Sequence, residues 1–499
     1  MSVAARAEEG LLHRTTSLCR VCKGAVDAEV VAGADGDVWL HKTCAEHGAQ
    51  AVRIAADADW YMRTRAVPTP AAPPPDRRPA QHGCPFDCGP CTSHSQAVKL
   101  PVVTITSACN LDCPICYVHN KNDDAFHMSD AEFEQVLAAL VRSHGGDLDL
   151  INLTGGEPTL HPRFEHFIAL ARAAGVHRVS ICTHGIALAR DEALVARLAA
   201  LEARVALSFD SFEREADFAL QGARLVDLKR RCLDALERHG VDTTLIPVMT
   251  RGYNDHEIGA IIAEGLRRTN VRHIEVHLMT YTGQSGASFD RSGRITLDEV
   301  LDRVEETTAG LLRRADFVSS PCAHPLCYQI AYLLLDPEGG PPVPFGRFFT
   351  RDEMYACLAD HLYLEPSPAL ERAFVDAINR LWLEDDAESA RALHIIKALL
   401  GRLFPTDRAL SRAEALRVSE RAVKAVYVHA HMDEETFDVE RVAQCCDSNC
   451  YADGRTVPVC SYNVLYREKE PRFMSEPKAW GARVGSARPL VYIGEPGAR

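Results

Sequence analysis

The stretch Cys109-Asn110-Leu111-Asp112-Cys113-Pro114-Ile115-Cys116-Tyr117 decides the fold of this chain, because its three cysteines stand at C-x3-C-x2-C spacing. Three thiolates can hold three irons of a four-iron, four-sulfur cluster, and the fourth iron then stays open to a small chelating ligand. A zinc site is the alternative, although zinc usually takes four protein ligands and this loop supplies three. The preceding residues 102–106 predict a short buried strand. The motif therefore lies on a loop at the carboxyl end of a strand, where α/β folds bind their ligands.

A second apolar run, residues 147–153, ends in Thr154-Gly155-Gly156-Glu157-Pro158. Two adjacent glycines allow a backbone to approach a ligand without interference from a Cβ atom. Exposed carbonyl groups and the Glu157 carboxylate suit a bound ammonium group. An ordinary Gly-Gly turn is the alternative, and the cysteine loop just upstream disfavours it.

These two motifs resemble those of the radical S-adenosylmethionine (radical SAM) enzymes. The resemblance implies that Cys109, Cys113 and Cys116 hold the cluster, and that the amino and carboxylate groups of SAM chelate its open iron. It also implies that an electron from the reduced cluster cleaves the sulfonium and makes a 5′-deoxyadenosyl radical. Gly155, Gly156 and Glu157 stand where the family has its GGE motif, which receives the SAM amino group.

Length and composition are those of an ordinary globular protein: 499 residues, 46% hydrophobic and 25% charged. This length allows two or three domains. The net charge of −14 disfavours a nucleic-acid partner. The sequence has no signal-peptide pattern and no run of about 18 apolar residues, so we expect a cytoplasmic protein. Its eighteen cysteines are clustered, which in such a protein indicates metal ligation rather than disulfides.

The N-terminal region carries Cys19-Arg20-Val21-Cys22 and Cys44-Ala45-Glu46-His47. This is the ligand spacing of a zinc ribbon or a rubredoxin-like iron site. Residues 30–40 between the pairs predict a hairpin that brings the four ligands together. The alternative is that His47 is a surface histidine and another residue is the fourth ligand. We expect residues 1–16 to be frayed.

A second C-x3-C-x2-C triplet, formed by Cys84, Cys88 and Cys91, follows a proline-rich spacer at residues 67–80. A repeat of this spacing within one chain is improbable by chance. It predicts an auxiliary iron–sulfur cluster, either with a fourth ligand from elsewhere or with a second open site. Zinc is again the alternative.

Between residues 100 and 290, short apolar segments alternate with amphipathic ones. Strands are predicted at 102–106, 147–153, 179–183, 205–210, 243–248 and 273–278. Helices are predicted at 130–143, 162–174, 191–201, 223–239 and 255–269. Six strands alternating with helices indicate a parallel sheet with right-handed crossovers. This α/β pattern agrees with the partial (β/α)6 barrel that the resemblance implies, which is open on one side and admits a large substrate.

Polar residues near the predicted strand ends are candidate contacts of SAM. Thr183 follows the third strand, and His184 beside it departs from the Thr-Asn-Gly of many radical SAM enzymes. Ser208 and Asp210 end the fourth strand and would bind ribose hydroxyls or the SAM carboxylate. Tyr117 would stack near the adenine. A plain turn cap is the alternative for Ser208.

Beyond the barrel, Pro321-Cys322-Ala323-His324-Pro325-Leu326-Cys327 forms a compact Cys/His unit, and residues 351–425 are predicted to be mostly helical. Two thiolates there need two more to close a four-iron cluster. We expect the cysteine-rich tail to supply them. The expected ligands are Cys322, Cys327, Cys460 and one of Cys445, Cys446 and Cys450, with Cys446 as the choice.

The order of all these motifs along the chain resembles that of one group within the radical SAM enzymes. It is similar to the archaeal-type group that holds tetraether lipid synthases and the class D methyltransferases of pterin biosynthesis, over about residues 17–467. Two features depart from that group: three cysteines within 445–450, and Val459 in place of a larger aromatic residue. We accordingly divide the chain into a metal knuckle, a spacer with the auxiliary triplet, a core barrel, a helical region with a further cluster, and a tail. Their bounds are 17–66, 67–98, 99–290, 291–470 and 471–499.

The resemblance implies hydrogen abstraction from an unactivated carbon followed by carbon–carbon bond formation, as C-methylation or coupling of lipid alkyl chains. The expected cofactors are SAM, its 4Fe-4S cluster, one or two auxiliary clusters, and one zinc or rubredoxin-like iron. The expected partners are a small-molecule or lipid substrate and an electron donor such as flavodoxin or ferredoxin. Peripheral membrane association and oligomeric state stay open. The alternative is a non-enzymatic iron–sulfur electron carrier or scaffold, which would not need the Gly-Gly-Glu sequence.

Overall fold

The N-terminal residues fold as an antiparallel sheet in the order β1-β2-β3-β4. The elements are β1 (Gly10–Leu18), β2 (Ala25–Ala32), β3 (Val38–Cys44), β4 (Gly48–Ala55) and the helix α1 (Ala58–Arg65). The computed structural model describes residues 10–75, 77–89, 91–118, 125–359 and 361–467. The predicted hairpin is confirmed as β2 and β3. The expected fraying of residues 10–16 is wrong because they pair with β2, and residues 1–9 lie outside the described part.

The middle of the chain alternates strands and helices in the predicted order. The elements are β5 (Leu100–Thr106), α2 (Asp130–Ser143), β6 (Leu150–Gly155), α3 (Phe164–Ala173), β7 (Arg178–Thr183), α4 (Ile186–Arg190), α5 (Glu192–Ala200), β8 (Arg204–Ser208), α6 (Arg214–Gln221), α7 (Val226–Arg238), β9 (Thr243–Ile246), β10 (Val248–Met249), α8 (Ile258–Arg267) and β11 (Val271–Leu278). Helix α2 has its predicted bounds, because Ser129 and Glu132 form a capping box at its N-terminus.

The C-terminal part contributes further strands as well as helices. The elements are α9 (Gly283–Ser288), α10 (Leu297–Thr307), β12 (Val318–Ser319), β13 (Tyr328–Leu334), β14 (Val343–Pro344), α11 (Arg351–Leu358), α12 (Pro368–Leu381), α13 (Ala387–Leu403), α14 (Arg412–Ala422), β15 (Val423–His429), α15 (Val439–Ala443), β16 (Asp447–Cys450), β17 (Thr456–Pro458) and α16 (Val459–Ser461). Within the described residues, no helix is both long and apolar enough to cross a membrane.

One large sheet joins the middle and the C-terminal part. Its order is β12-β13-β15-β11-β9-β8-β7-β6-β5-β16-β17. The six predicted strands lie side by side and parallel, as a partial barrel requires. Strand β15 extends this parallel run beyond β11, and β16 extends it beyond β5. The sequence analysis did not predict these two additions.

Alternation along β11 shows which face of the sheet points into the barrel. Ile274 and Val276 are buried in the apolar core that the surrounding helices share. Glu275 and His277 point the other way, as successive residues of a strand must. Cys182 of β7 interacts electrostatically with Glu275 across two intervening strands. These side chains therefore face one common interior.

The N-terminal sheet docks on the C-terminal part of the chain. Lys42 on β3 is 4% exposed, and its ammonium group donates to the backbone carbonyls of Glu434 and Glu435 at 3.0 and 2.7 Å. Ser17 on β1 donates to the carbonyl of Phe437 at 2.6 Å. A buried ammonium group needs such acceptors. These bonds hold the sheet against the segment that follows β15.

Candidate active site

The first cysteine triplet lies where the sequence analysis placed it, on the loop after β5. Cys109 is 5% exposed, and Cys113 and Cys116 are half-buried. Cys109 interacts electrostatically with Cys116, and Cys113 with both. Burial raises the pKa of Cys109 to about 12 and raises the pKa of Cys113 as well. Thiols this hard to ionise become thiolates when they coordinate a metal cation, so the donor set fits an iron–sulfur cluster.

Two helices outside the loop hold it in place. The amide of Ile115 donates to the carbonyl of Leu220 on α6 at 3.1 Å, and the carbonyl of Cys116 accepts from Ser285 on α9 at 2.9 Å. Gln221 on α6 accepts from the Cys113 thiol at 3.5 Å. The triplet is therefore positioned by α6 and α9, which follow it by about 100 residues or more in the chain.

The Gly-Gly-Glu sequence at the end of β6 clamps the loop that leads to the cysteines. The amide of Gly156 donates to the carbonyl of Thr106 at 2.9 Å, and the amide of Glu157 donates to the carbonyl of Ala108 at 2.7 Å. A Cβ on Gly155 would overlap the Thr106 carbonyl oxygen, and one on Gly156 would overlap the Ala108 carbonyl oxygen. The glycines thus allow two backbones of the protein to approach each other, a role beyond the ligand approach expected from sequence.

The Glu157 carboxylate is 1% exposed and already has donors within the protein. It accepts from the hydroxyls of Thr159 and Thr183, each at 2.7 Å, and from the amide of His184 at 3.0 Å. The His184 ring also lies 3.2 Å from this carboxylate and 2.6 Å from the Asn110 side chain in the cysteine loop. Burial lowers the pKa of His184. His184, which stands where many radical SAM enzymes have asparagine, therefore links Glu157 to the cysteine loop.

The other candidate SAM contacts are placed differently. Asp210 is 1% exposed and accepts from the amide of Val248 at 2.8 Å and from Gln221, with the buried Lys229 ammonium at 3.7 Å. Its bonds join β8, β10 and the neighbouring helices. Tyr117 is 40% exposed, with the Arg467 guanidinium 5.1 Å from its ring centroid.

Ser208 ends β8 and is half-buried. Contact of SAM with Ser208, Asp210 and Tyr117 stays a prediction, as does contact with Thr183.

The four expected ligands of the N-terminal site come together. One candidate ligand atom from each of Cys19, Cys22, Cys44 and His47 lies within 4.8 Å of the others. The Cys22 and Cys44 sulfurs are 3.9 Å apart, and His47 Nδ1 is 3.4 Å from the Cys44 sulfur. Although burial raises the pKa of Cys19, hydrogen bonds from Gln50 and backbone amides outweigh it and lower that pKa to about 6. The set has the composition of a structural zinc site.

The second triplet lines a small cavity that the C-terminal segment closes. Its walls are Cys84, Cys88, Gly89, Cys91, Ser93, His94, Val442, Thr456 and Pro458. Tyr466 covers it, accepting from the amide of Cys88 at 3.2 Å and donating to the carbonyl of Pro85 at 2.9 Å. Three thiols around one cavity fit an auxiliary cluster, which stays a proposal.

Cysteines between residues 445 and 460 lie close to the unit at residues 322–327. The Cys322 and Cys446 sulfurs are 4.0 Å apart. Cys445 interacts electrostatically with Cys327 and Cys460. In contrast, Cys450 lies in the apolar core of the barrel. The arrangement favours Cys446 or Cys445 over Cys450 as the fourth ligand of the proposed shared cluster.

Residues 103–265, which contain the first triplet and the Gly-Gly-Glu clamp, match the family model described as the radical SAM superfamily. The chain carries a radical SAM domain. Residues 11–56 match the model described as the HMPTM N-terminal zinc ribbon domain. The second match covers the sheet that holds Cys19, Cys22, Cys44 and His47.

Two relatives extend this finding. The chain is 27% identical over 508 residues to 7,8-dihydro-6-hydroxymethylpterin dimethyltransferase of Methanocaldococcus jannaschii, covering 94% of this chain and 96% of that protein. It is 32% identical over 163 residues to GTP 3′,8-cyclase of Chlorobaculum tepidum, covering 32% of this chain and 48% of the cyclase. The chain thus spans nearly all of the dimethyltransferase and about half of the cyclase. With its radical SAM domain and its transferase relative, the protein is an enzyme.

Solved structures give weaker likenesses. SuiB of Streptococcus suis bound to S-adenosylmethionine has 15% identity and a TM-score of 0.35, over 43% of this chain and 47% of that chain. Methylornithine synthase (PylB) has 14% identity and a TM-score of 0.34, over 43% of this chain and 64% of that chain. TM-scores this low carry no argument about function.

The radical SAM superfamily implies SAM and a 4Fe-4S cluster, and the residues of this domain fit both. Three neighbouring thiols at the carboxyl end of β5 are a donor set for three irons. The amides of Gly156 and Glu157 donate to the carbonyls of Thr106 and Ala108, so the Gly-Gly-Glu sequence lies beside the same loop. We propose Cys109, Cys113 and Cys116 as the cluster ligands.

The barrel interior and its surroundings also hold side chains to which the sequence analysis assigned no role. His277, His429 and His431 meet in the barrel interior, and Arg441 donates to the Cys327 sulfur at 3.5 Å. The alternation Glu275-Val276-His277 and the pair His429-Ala430-His431 are the sequence signals that would have found the histidines. What sequence could not show is that β11 and β15 are neighbours.

Replacing Gly156 by alanine is expected to open the clamp of the radical SAM domain. The new Cβ overlaps the Ala108 carbonyl oxygen, so β6 and the cysteine loop must separate, at a cost of about 1–3 kcal/mol or more. Iron content and the thermal midpoint of the purified enzyme should both fall.

The matched control is Gly401→Ala in α13, where a Cβ meets open space. Alanine there favours the helix by up to about 1 kcal/mol. A Gly156→Ala enzyme with full iron and an unchanged midpoint would contradict the clamp.

Proposed function

We propose that this radical SAM enzyme forms a carbon–carbon bond by adding a one-carbon group to an unactivated carbon of a pterin-like heterocycle. The observation that carries the proposal is the likeness to a pterin dimethyltransferase over 94% of the chain. At this coverage the likeness extends beyond the barrel into both the N-terminal sheet and the C-terminal part of the chain. A protein sharing only the radical SAM chemistry would match over a smaller share of the chain, as the cyclase does over 32% of it.

The polarity of the barrel interior supports a heterocyclic acceptor. Glu275 and His277 of β11 are partly exposed to the interior, and His429 of β15 lies beside them. Although burial raises the pKa of Glu275, contacts with His277 and His429 outweigh it and hold that pKa well below its usual value. Glu275 is thus a carboxylate that can accept hydrogen bonds from ring N–H groups. Such a lining suits a polar ring better than an alkyl chain.

An apolar cavity lies at the other end of the barrel. Its volume is about 350 Å³, and it is lined by the amino ends of β7, β8 and β15 together with the helices α12 and α13. The cysteine loop follows the carboxyl end of β5, a full strand length away, or roughly 20 Å. Coupling of lipid alkyl chains needs apolar surface next to the radical, so this position favours the heterocycle.

Three parts of the barrel would take part in this reaction: the cysteine loop, the Gly-Gly-Glu clamp and Glu275. Bound SAM and a reduced cluster would supply the radical that removes hydrogen from the acceptor. Cys109, Cys113 and Cys116 would hold the cluster, and the Gly-Gly-Glu clamp keeps their loop against β6. Glu275 would orient the acceptor ring through its carboxylate. An external electron donor, such as flavodoxin or ferredoxin, would reduce the cluster.

Isotope labelling tests the proposal. Anaerobically reconstituted enzyme is reduced with dithionite and incubated with methyl-labelled SAM, in one arm with 6-hydroxymethyl-7,8-dihydropterin and in the other with a total lipid extract. We expect a pterin product heavier by one or two carbons, each carrying the label of the SAM methyl group, found by mass spectrometry. A product in the lipid arm alone would overturn the heterocyclic acceptor, and so would release of 5′-deoxyadenosine without product in either arm.

A further inference from the structure

Three histidines from two strands converge in the barrel interior. His277 lies near the carboxyl end of β11, His429 ends β15, and His431 follows two residues later. Strands β11 and β15 are parallel, and His277 is directly opposite His429 in their register. One ring nitrogen from each of the three residues lies within 4.8 Å of the others. This spacing brings three imidazoles within reach of a single ion.

Two carboxylates lie close to these rings. Glu275 Oε1 is 3.0 Å from Nε2 of His277 and 3.4 Å from Nδ1 of His429. Asp447 Oδ2 is 3.7 Å from Nε2 of His429, and Tyr328 donates to the same carboxylate. Metal-binding histidines almost always donate their second N–H group to a carboxylate, which fixes the ring and raises its basicity. Glu275 thus gives two of the three rings this partner, and the other nitrogen of His429 faces Asp447.

We propose that His277, His429 and His431 bind a divalent transition-metal cation, Zn²⁺ or Fe²⁺, at a site separate from the cysteine centres. Imidazole nitrogen is a donor suited to both ions. Three histidines leave a coordination position open, as in zinc sites that bind water or substrate. Two nearby carboxylates offset the charge of the cation. None of these steps depends on the acceptor of the carbon group.

The burial of the three histidines agrees with a metal site. His429 is 4% exposed, and His277 and His431 are half-buried, so an ion among them would be largely shielded from water. The His431 ring lies 3.8 Å from the Cys460 sulfur, so the three histidines lie next to the cysteines at residues 445–460.

Metal counting tests the site in the full-length holoenzyme. Enzyme purified anaerobically is incubated with Zn²⁺, freed of unbound metal, and analysed for zinc, iron and sulfide per chain by mass spectrometry and colorimetry. The variant H277N/H429N/H431N should hold one zinc fewer than the natural protein, with iron and sulfide unchanged. In a chelator competition, Glu275→Gln should weaken zinc binding about 10- to 100-fold.

His273→Asn is the matched control, because His273 lies on the same face of β11 but stacks on Tyr363 at 5.1 Å, away from the cluster. It should keep the full zinc content. Equal zinc in the natural protein and the triple variant would overturn the proposal, as would a loss of iron and sulfide together with the zinc. Should the triple variant not fold, Glu275→Gln decides, and unchanged zinc affinity in that variant overturns the site.

Discussion

Replacing Cys109, Cys113 and Cys116 together by alanine is expected to abolish release of 5′-deoxyadenosine from SAM. Three thiolates are the whole ligand set of an open four-iron cluster, and alanine supplies no donor to iron. The loop stays attached through the backbone bonds to Leu220 and Ser285, which do not need the thiols. We therefore expect activity to be lost because the cluster is missing and not because the barrel unfolds.

The measurement is quantification of 5′-deoxyadenosine by liquid chromatography after reduction with dithionite, together with iron content. Iron should fall by one cluster and no more, because the proposed auxiliary cysteines lie elsewhere. Cys357→Ala is the control, since this thiol is buried among apolar side chains around α11. Undiminished release of 5′-deoxyadenosine by the triple variant would contradict the assignment of these cysteines as cluster ligands.

Replacing Cys22 by serine is expected to remove one metal ion per chain and to unfold the N-terminal sheet. Metal binding to a thiolate-rich site of this kind contributes folding free energy on the order of 10 kcal/mol. The sulfur of Cys22 lies 3.9 Å from that of Cys44, so its loss breaks the link between the ends of the predicted hairpin. The sheet also docks through Lys42 on residues 434 and 435, and its unfolding should expose that segment.

Metal content and limited proteolysis of residues 17–60 measure this effect. Thr43→Ala, an exposed neighbour of Cys44 on β3, serves as the control and should retain both metal and protection. An unchanged metal content and digestion pattern in Cys22→Ser would show that the site has been misassigned.

Local sequence by itself determined much of this protein. The capping box at Ser129 sets the start of α2, and the five helices predicted in the barrel region begin and end within three residues of their expected bounds. The cysteine spacings predicted the zinc ribbon and the radical SAM loop. These features depend on hydrogen bonds and side-chain periodicity within a few residues, so they can be read along the chain.

The tertiary structure alone decided the rest. The sequence Asp447-Ser448-Asn449-Cys450 has no strand signal, yet it pairs with β5 because the edge of the sheet offers it backbone partners. The pairing of β15 with β11 brings His429 beside His277, which lie far apart in sequence. Glycine is required at position 156 because the carbonyl oxygen of Ala108, nearly fifty residues earlier in the chain, leaves no room for a Cβ atom. Pairing of distant strands depends on which surfaces remain to be buried once the rest of the chain has folded, and no local pattern records it.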